Sequence, residues 1–154
     1  GYETWCVGGV SFFDKRSDLG KVFPRLFQKS FWNPSFGCGI KDSAKNQVDF
    51  ILKKMENVSK SQRIFLYLNV DAIHYPNYFY LEGASHDSLK SHKAALRYVD
   101  GELGRLFEEW KVKRGGAFVI CCSDHGTCYG EDGCQFHGIN HLKVTEIPYK
   151  HFLL

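Results

Sequence analysis

The sequence has no long apolar run, no block of like charges and no internal repeat. No stretch approaches the roughly 18 to 20 apolar residues that a membrane-spanning helix needs. The formal net charge is only +3, and the 20 basic residues are spread along the chain. We therefore expect no nucleic-acid partner and no membrane partner. The sequence also contains no low-complexity linker, so we do not expect an extended disordered segment.

The composition is that of a folded protein with a substantial core. The 154 residues are 44% hydrophobic and 24% charged, which suits one globular domain. The aromatic share of 16% is high, so either the core is aromatic or some apolar surface serves a partner.

The six cysteines do not form a pattern typical of a disulfide framework. Cys121 and Cys122 are adjacent in an apolar run, so on a strand they would point to opposite faces. Cys128 and Cys134 match no standard zinc-site spacing, and we favour a structurally neutral role for both. These features favour a reducing compartment and predict a cytoplasmic location.

Apolar strand patterns alternate with helical ones along the chain. Strands are predicted at 4–10, 63–70 and 117–122, and the final stretch 147–154 reads as a further strand. Helices are predicted at 43–57, with Ser43 as N-cap, and from Asp87 or Ser88 to about Trp110. The segment 12–36 has no clean periodicity and reads as irregular, with a possible short helix near 20–28. This alternation predicts an α/β fold with a mostly parallel sheet flanked by helices, as a single domain over 1–154.

A carboxylate and an imidazole directly follow the apolar run at 117–122. Asp124 and His125 stand there in a Ser-Asp-His-Gly sequence, on the turn after a predicted strand. Gly126 can take a left-handed or tight conformation that directs both side chains inward. Carboxylate oxygen and imidazole nitrogen suit Zn²⁺, Mn²⁺ or a related cation. The sequence thus predicts a metal site, with an ordinary polar turn as the alternative.

Two further histidine-containing segments carry candidate residues. Asp71 and His74 follow the predicted strand 63–70, at the same kind of strand end. For His74 the alternative is a structural histidine, hydrogen-bonded in a turn before proline. His137 lies in a glycine-rich loop, where it could be a metal ligand or could donate a hydrogen bond to an anion; His141, four residues on, reads as structural or solvent-exposed.

The segment Leu96–Phe107, followed by an apolar strand and Ser-Asp-His-Gly, resembles the sulfatase and alkaline phosphatase superfamily. The opening residues 1–10 look like a strand entry of these enzymes, and the chain is similar to a bacterial sulfatase-like metalloenzyme branch. The resemblance implies an alkaline phosphatase-like fold, here a partial domain, and a divalent ion such as Zn, Mn, Ca or Mg. It implies that Asp124, His125 and Asp71 bind metal.

The same resemblance implies roles for His74 and His137 beside the substrate's ester group. Two-metal members commonly carry Asp-x-x-Gly-His after this strand. Here His74 arrives one residue early, and Tyr75 stands where that histidine would fall. His74 is therefore more similar to the histidine that contacts the phosphate or sulfate group in single-metal relatives.

The implied activity is metal-dependent hydrolysis of small-molecule sulfate or phosphate esters. No Cys-x-Pro-x-Arg or Ser-x-Pro-x-Arg sequence, which would carry a nucleophile, is present. We therefore expect these residues to be the C-terminal portion of a longer catalytic domain, with the chain alone inactive. Two alternatives stay open: a non-catalytic or incomplete α/β module with a structural role, and a metal-independent interaction domain.

Overall fold

A computed structural model describes all residues, 1–154, and shows two compact units, Gly1–Glu109 and Trp110–Leu154. The prediction of a single domain stays a prediction. The strands are β1 (Tyr2–Val7), β2 (Lys29–Phe31), β3 (Arg63–Leu68), β4 (Phe118–Cys122), β5 (Cys128–Tyr129), β6 (Gln135–Phe136) and β7 (Tyr149–Leu153). The α-helices are α1 (Asp18–Val22), α2 (Ser43–Met55), α3 (Leu89–Arg114) and α4 (Leu142–Thr145), and short 3-10 helices cover Ser11–Phe13, Phe23–Leu26, Pro34–Phe36, Tyr78–Tyr80 and Glu131–Gly133.

The first unit contains a three-stranded parallel sheet in the order β2-β1-β3. In the central strand, Trp5 is aligned with Lys29 of β2 on one side and with Leu66 of β3 on the other. The second half of β1 is fully buried, as expected for a strand with neighbours on both edges. The predicted α/β class with a parallel sheet is confirmed.

Helix α2 follows β2 in the chain and packs an apolar stripe into the core. Val48, Ile51 and Met55 are buried at spacings of three and four residues. The prediction of Ser43 as N-cap is wrong by one residue: Asp42 is the cap position, without a capping side-chain hydrogen bond, and Ser43 is the first helical residue. The helix ends at Met55, before the predicted end at residue 57.

Helix α3 begins after a serine cap that the sequence predicts. The Ser88 hydroxyl accepts a hydrogen bond from the Ser91 N–H at 3.2 Å, and the Ser91 hydroxyl accepts one from the Ser88 N–H at 2.8 Å. Asp87, the other candidate cap, instead accepts hydrogen bonds from the backbone of a preceding loop. Val99 of α3 packs with Ala44 and Ala72 in one buried cluster.

The irregular segment between β1 and α2 is largely an aromatic layer. Phe13, Phe23 and Phe27 contact Tyr67 of β3 with ring centroids 4.9 to 5.9 Å apart. The predicted short helix is present slightly earlier, as α1 followed by the 3-10 turn Phe23–Leu26. Strand β2, only three residues long, was not predicted.

The second unit contains two antiparallel strand pairs, β4 with β7 and β5 with β6. The predicted strand at 117–122 is present as β4, but its only partner is the antiparallel β7. Alternate side chains of β4 face solvent, with Phe118 61% and Ile120 54% exposed. Helix α4 follows the β5–β6 pair. None of the helices combines the length and apolar character needed to cross a membrane.

Candidate functional site

Asp71 lies at the carboxyl end of β3, in a loop that Asn69 fixes to neighbouring segments. The backbone N–H of Asn69 donates to the Val7 carbonyl at 2.9 Å. Its side-chain oxygen faces the N–H groups of Gly9 and Val10 at 3.3 and 3.4 Å. Its carbonyl accepts a hydrogen bond from the buried Gln47 side chain at 2.8 Å. The loop that carries Asp71 is therefore held against the end of β1 and against α2.

The Asp71 carboxylate is buried without a well-formed hydrogen bond. The residue is 1% exposed, and neither carboxylate oxygen has a partner of good geometry. Burial raises the pKa of Asp71, and the neighbouring His74 and Cys38 lower this pKa by less. A buried carboxylate in this state is unusual, because buried polar groups are normally satisfied.

Gly9 makes room for this carboxylate. A Cβ atom at Gly9 would collide with the Cβ of Asp71 and lie 2.9 Å from the Phe36 carbonyl oxygen. A larger residue would thus push apart the loops that follow β1, β2 and β3. The glycine is required here by close approach of neighbouring chain segments.

His74 lies one turn beyond Asp71 and has a defined ring orientation. Its N–H donates to the Asp71 carbonyl at 3.0 Å, and its ring stacks on Tyr75 with centroids 4.4 Å apart. Its Nδ1 lies 2.7 Å from the Tyr75 carbonyl oxygen. Because a carbonyl only accepts, Nδ1 carries the proton, and Nε2 of the neutral ring carries the lone pair.

Cys38, which no sequence pattern marks as a site residue, lies beside these two residues. Cys38 follows the 3-10 turn Pro34–Phe36 after β2 and is exposed. One potential ligand atom from each of Cys38, Asp71 and His74 lies within 4.8 Å of those of the other two. We call these three residues the Asp71 cluster. The local sequence around Cys38 gave no signal, since its partners lie more than thirty residues away.

In the second unit, Asp124 and His125 stand directly after β4, as predicted. The His125 N–H donates to Asp124 Oδ1 at 3.0 Å, and the Ser123 hydroxyl donates to the His125 carbonyl. His125 Nδ1 lies 2.8 Å from the Gly126 carbonyl oxygen, so this nitrogen carries the proton. His125 Nε2 lies 3.9 Å from Asp124 Oδ2.

The role predicted for Gly126 needs a correction. Gly126 is not among the glycines with positive φ, so it does not adopt a left-handed turn. Instead, its N–H donates to the Val144 carbonyl at 2.9 Å, and a Cβ atom here would overlap the Lys143 carbonyl oxygen. Gly126 therefore allows the Asp124 turn to contact the segment at α4.

His137 joins Asp124 and His125 in a second group, which we call the Asp124 cluster. The rings of His125 and His137 stack with centroids 4.3 Å apart and an interplanar angle of 26°. The Asp124 side chain is 83% exposed and that of His125 is 39% exposed. These three predicted site residues thus lie together at an accessible position in the second unit.

His141 has a structural role, as the sequence analysis expects. Its Nδ1 accepts a hydrogen bond from the Lys143 N–H at 3.1 Å and so caps α4. Its Nε2 lies 3.2 Å from Asp132 Oδ2, and Cys128 Sγ lies 3.3 Å from Nδ1. Both ring nitrogens of His141 make local contacts, so we do not include His141 in the Asp124 cluster.

The fold and these clusters define a class of protein: an α/β protein with a parallel sheet and with potential metal ligands after two of its strands. The chain belongs to the sulfatase family, whose model matches residues 1–150. Enzymes of this family generally use a divalent metal ion and act on small-molecule esters. No curated protein matches the chain.

Proposed function

We propose that this protein is a metal-dependent hydrolase of sulfate or phosphate esters and that this chain carries part of its metal and substrate site. The observation that carries the proposal is the Asp124 cluster. Asp124 and His125 directly follow β4, and His137, which follows β6, stacks on the ring of His125, in a chain that belongs to the sulfatase family. The substrate we propose is a small-molecule ester. The compartment we propose is reducing and cytoplasmic, which the free state of all six cysteines supports.

The residues of the Asp124 cluster fit a divalent ion. His125 Nε2 lies 3.9 Å from the Asp124 carboxylate, and hydrogen bonding of Nδ1 to a backbone carbonyl is the usual arrangement for a histidine ligand. We assign Asp124 and His125 as ligands and Asp71 as a further metal-binding residue. Asp71 fits this role because its buried carboxylate has no well-formed hydrogen bond. A bound divalent ion would lower the pKa of a nucleophile and neutralise charge on the ester oxygens.

His137 and His74 are the side chains we assign to the ester group. The ring of His137 stacks on that of His125, which supports a role for His137 beside an ion or anion bound there. As a neutral ring it can donate a hydrogen bond, and as a protonated ring it can stabilise negative charge. His74 has the same two options, or it serves as a ligand to the metal.

The test is Asp124→Ala in the protein, with nitrophenyl sulfate and nitrophenyl phosphate as substrates and metal content measured in parallel. We expect loss of turnover and of bound metal, because the substitution removes a charged ligand. Asp100→Ala, which removes an exposed aspartate from α3, is the matched control and should leave both unchanged. Unchanged turnover and metal content in Asp124→Ala would refute the assignment and favour the polar-turn interpretation.

A further inference from the structure

The proposed function makes no use of Cys38, although this cysteine lies next to the most unusual group in the protein. Asp71 is buried and neither carboxylate oxygen has a well-formed hydrogen bond, and Cys38 and His74 each place a potential ligand atom within 4.8 Å of a carboxylate oxygen of Asp71. A thiol and a carboxylate, two groups that become negatively charged when they lose a proton, are therefore held together beside the ring of His74.

A divalent cation would compensate the negative charge of the cluster and would also bind the open carboxylate oxygens of Asp71. One thiolate and one carboxylate carry two negative charges, which a doubly charged ion neutralises. The ion would also occupy the coordination positions of the carboxylate that hydrogen bonds leave open. A buried charge without such compensation is strongly disfavoured.

The geometry is close to that of a coordination site. Zn²⁺ bonds of about 2.0 Å to nitrogen or oxygen and about 2.3 Å to sulfur place tetrahedral ligand atoms roughly 3.3 to 3.8 Å apart. The ligand atoms of the Asp71 cluster all lie within 4.8 Å of one another, so small side-chain rotations bring them into range. The exposed Cys38 gives an ion a path from solvent to the buried Asp71.

We propose that Cys38, Asp71 and His74 form a three-ligand site for a thiolate-preferring divalent cation of the Zn²⁺ type. Sulfur and imidazole ligands select Zn²⁺ over Mg²⁺ and Ca²⁺, which take oxygen ligands. On binding, the cation forms a bond to Cys38 Sγ and the thiol proton leaves to solvent. Three protein ligands leave a fourth position open to water or an anion. In this site His74 is a metal ligand. The existence of the site does not depend on hydrolysis by the Asp124 cluster.

Cobalt titration of the intact, chelator-stripped protein tests the site directly. Thiolate coordination of Co²⁺ gives a charge-transfer absorption band in the near ultraviolet. We expect the wild-type protein to show this band and Cys38→Ser to lose it. Cys122→Ser removes an exposed cysteine and Cys128→Ser a buried one that contacts His141; both controls should keep the band. A band that survives in Cys38→Ser but disappears in Cys128→Ser would overturn the proposal.

Asp71→Asn provides a second variant with the same shape and no charge. We expect its Co²⁺ affinity to fall by at least roughly tenfold, since second-sphere changes alone typically cost 10 to 100-fold. In the wild-type protein, Zn²⁺ should also slow alkylation of Cys38, read by mass spectrometry, while alkylation of Cys122 continues at the same rate. Equal alkylation of Cys38 with and without Zn²⁺ would refute the site.

The same measurements separate this site from the proposed function. A charge-transfer band that depends on Cys38, in a protein without ester turnover, would support the site and refute the hydrolase proposal. Turnover that requires Asp124, in a protein whose Co²⁺ spectrum does not change in Cys38→Ser, would do the reverse.

Discussion

Replacing Asp71 by asparagine should stabilise the metal-free protein at neutral pH, contrary to the usual effect of altering a buried polar residue. Asparagine keeps the size and shape of the side chain and removes its ionisable group. The carboxylate that it replaces is 1% exposed and has no well-formed hydrogen bond. The substitution therefore removes a buried ionisable group and sacrifices no well-formed hydrogen bond.

The magnitude follows from the difference between a charged and a neutral unsatisfied group. A buried polar group without a partner costs about 1 to 3 kcal/mol, and a charged one costs more. The amide is also unsatisfied, so only the excess for the charge is recovered, about 1 to 2 kcal/mol. For a chain of this size that corresponds to a rise in Tm of roughly 2 to 8 °C.

The pH dependence has a defined sign. Because burial raises the pKa of Asp71 above its ordinary value of 3.8, the folded state binds this proton more tightly than the unfolded state. The wild-type protein therefore loses stability as the pH rises above 3.8, until the folded-state pKa is passed. Relative to wild type, the advantage of Asp71→Asn should be absent at low pH and appear over this interval.

A cation should reverse the order of stability. An ion at 100 times its Kd stabilises the folded protein by about 2.7 kcal/mol, which exceeds the gain from the asparagine substitution. Thermal unfolding followed by circular dichroism, with chelator and then with Zn²⁺, measures both effects. A lower Tm for Asp71→Asn in chelator would refute this account, because it would show that the carboxylate is stabilised by partners within the fold.

Three further predictions concern stability. Gly126→Ala should cost roughly 1 to 3 kcal/mol, because the added methyl group overlaps the Lys143 carbonyl; normal stability in urea unfolding would contradict the close contact. Gly101→Ala, at an open position in α3, is its control and should instead stabilise the protein by about 0.5 to 1 kcal/mol. Ser88→Ala should cost about 1 kcal/mol, since the Ser91 N–H loses its acceptor, and an unchanged urea midpoint would show that this cap contributes nothing.

The parts of the fold that the sequence predicts are those with strong local patterns. β3 is a run of β-branched and aromatic residues, and α3 has apolar residues at helical spacing over a long stretch. The sequence predicts both elements to within a few residues of their observed bounds. β2 was missed because three residues in an aromatic segment carry no periodicity. The antiparallel pairing of β4 with β7 was also missed, because pairing direction depends on chain segments far apart in sequence.

The same distinction applies to the candidate site. Asp124 and His125 could be identified because they directly follow an apolar strand, and His137 because it lies in a histidine-containing glycine-rich loop. Cys38 could not, because its approach to Asp71 follows from the strand order β2-β1-β3. That order places the loops after β2 and β3 on either side of the end of β1, where Gly9 lets them meet. Neither the strand order nor this contact is encoded in a local motif.

The hydrogen bonds of Asn69 have a consequence for affinity. Because this residue fixes the β3 loop to the end of β1 and to Gln47 of α2, the backbone beside Asp71 is preorganised by folding. A ligand that enters there does not have to order the loop, so less of its gross interaction free energy is lost to conformational entropy. Tight association at this position is therefore compatible with few contacts.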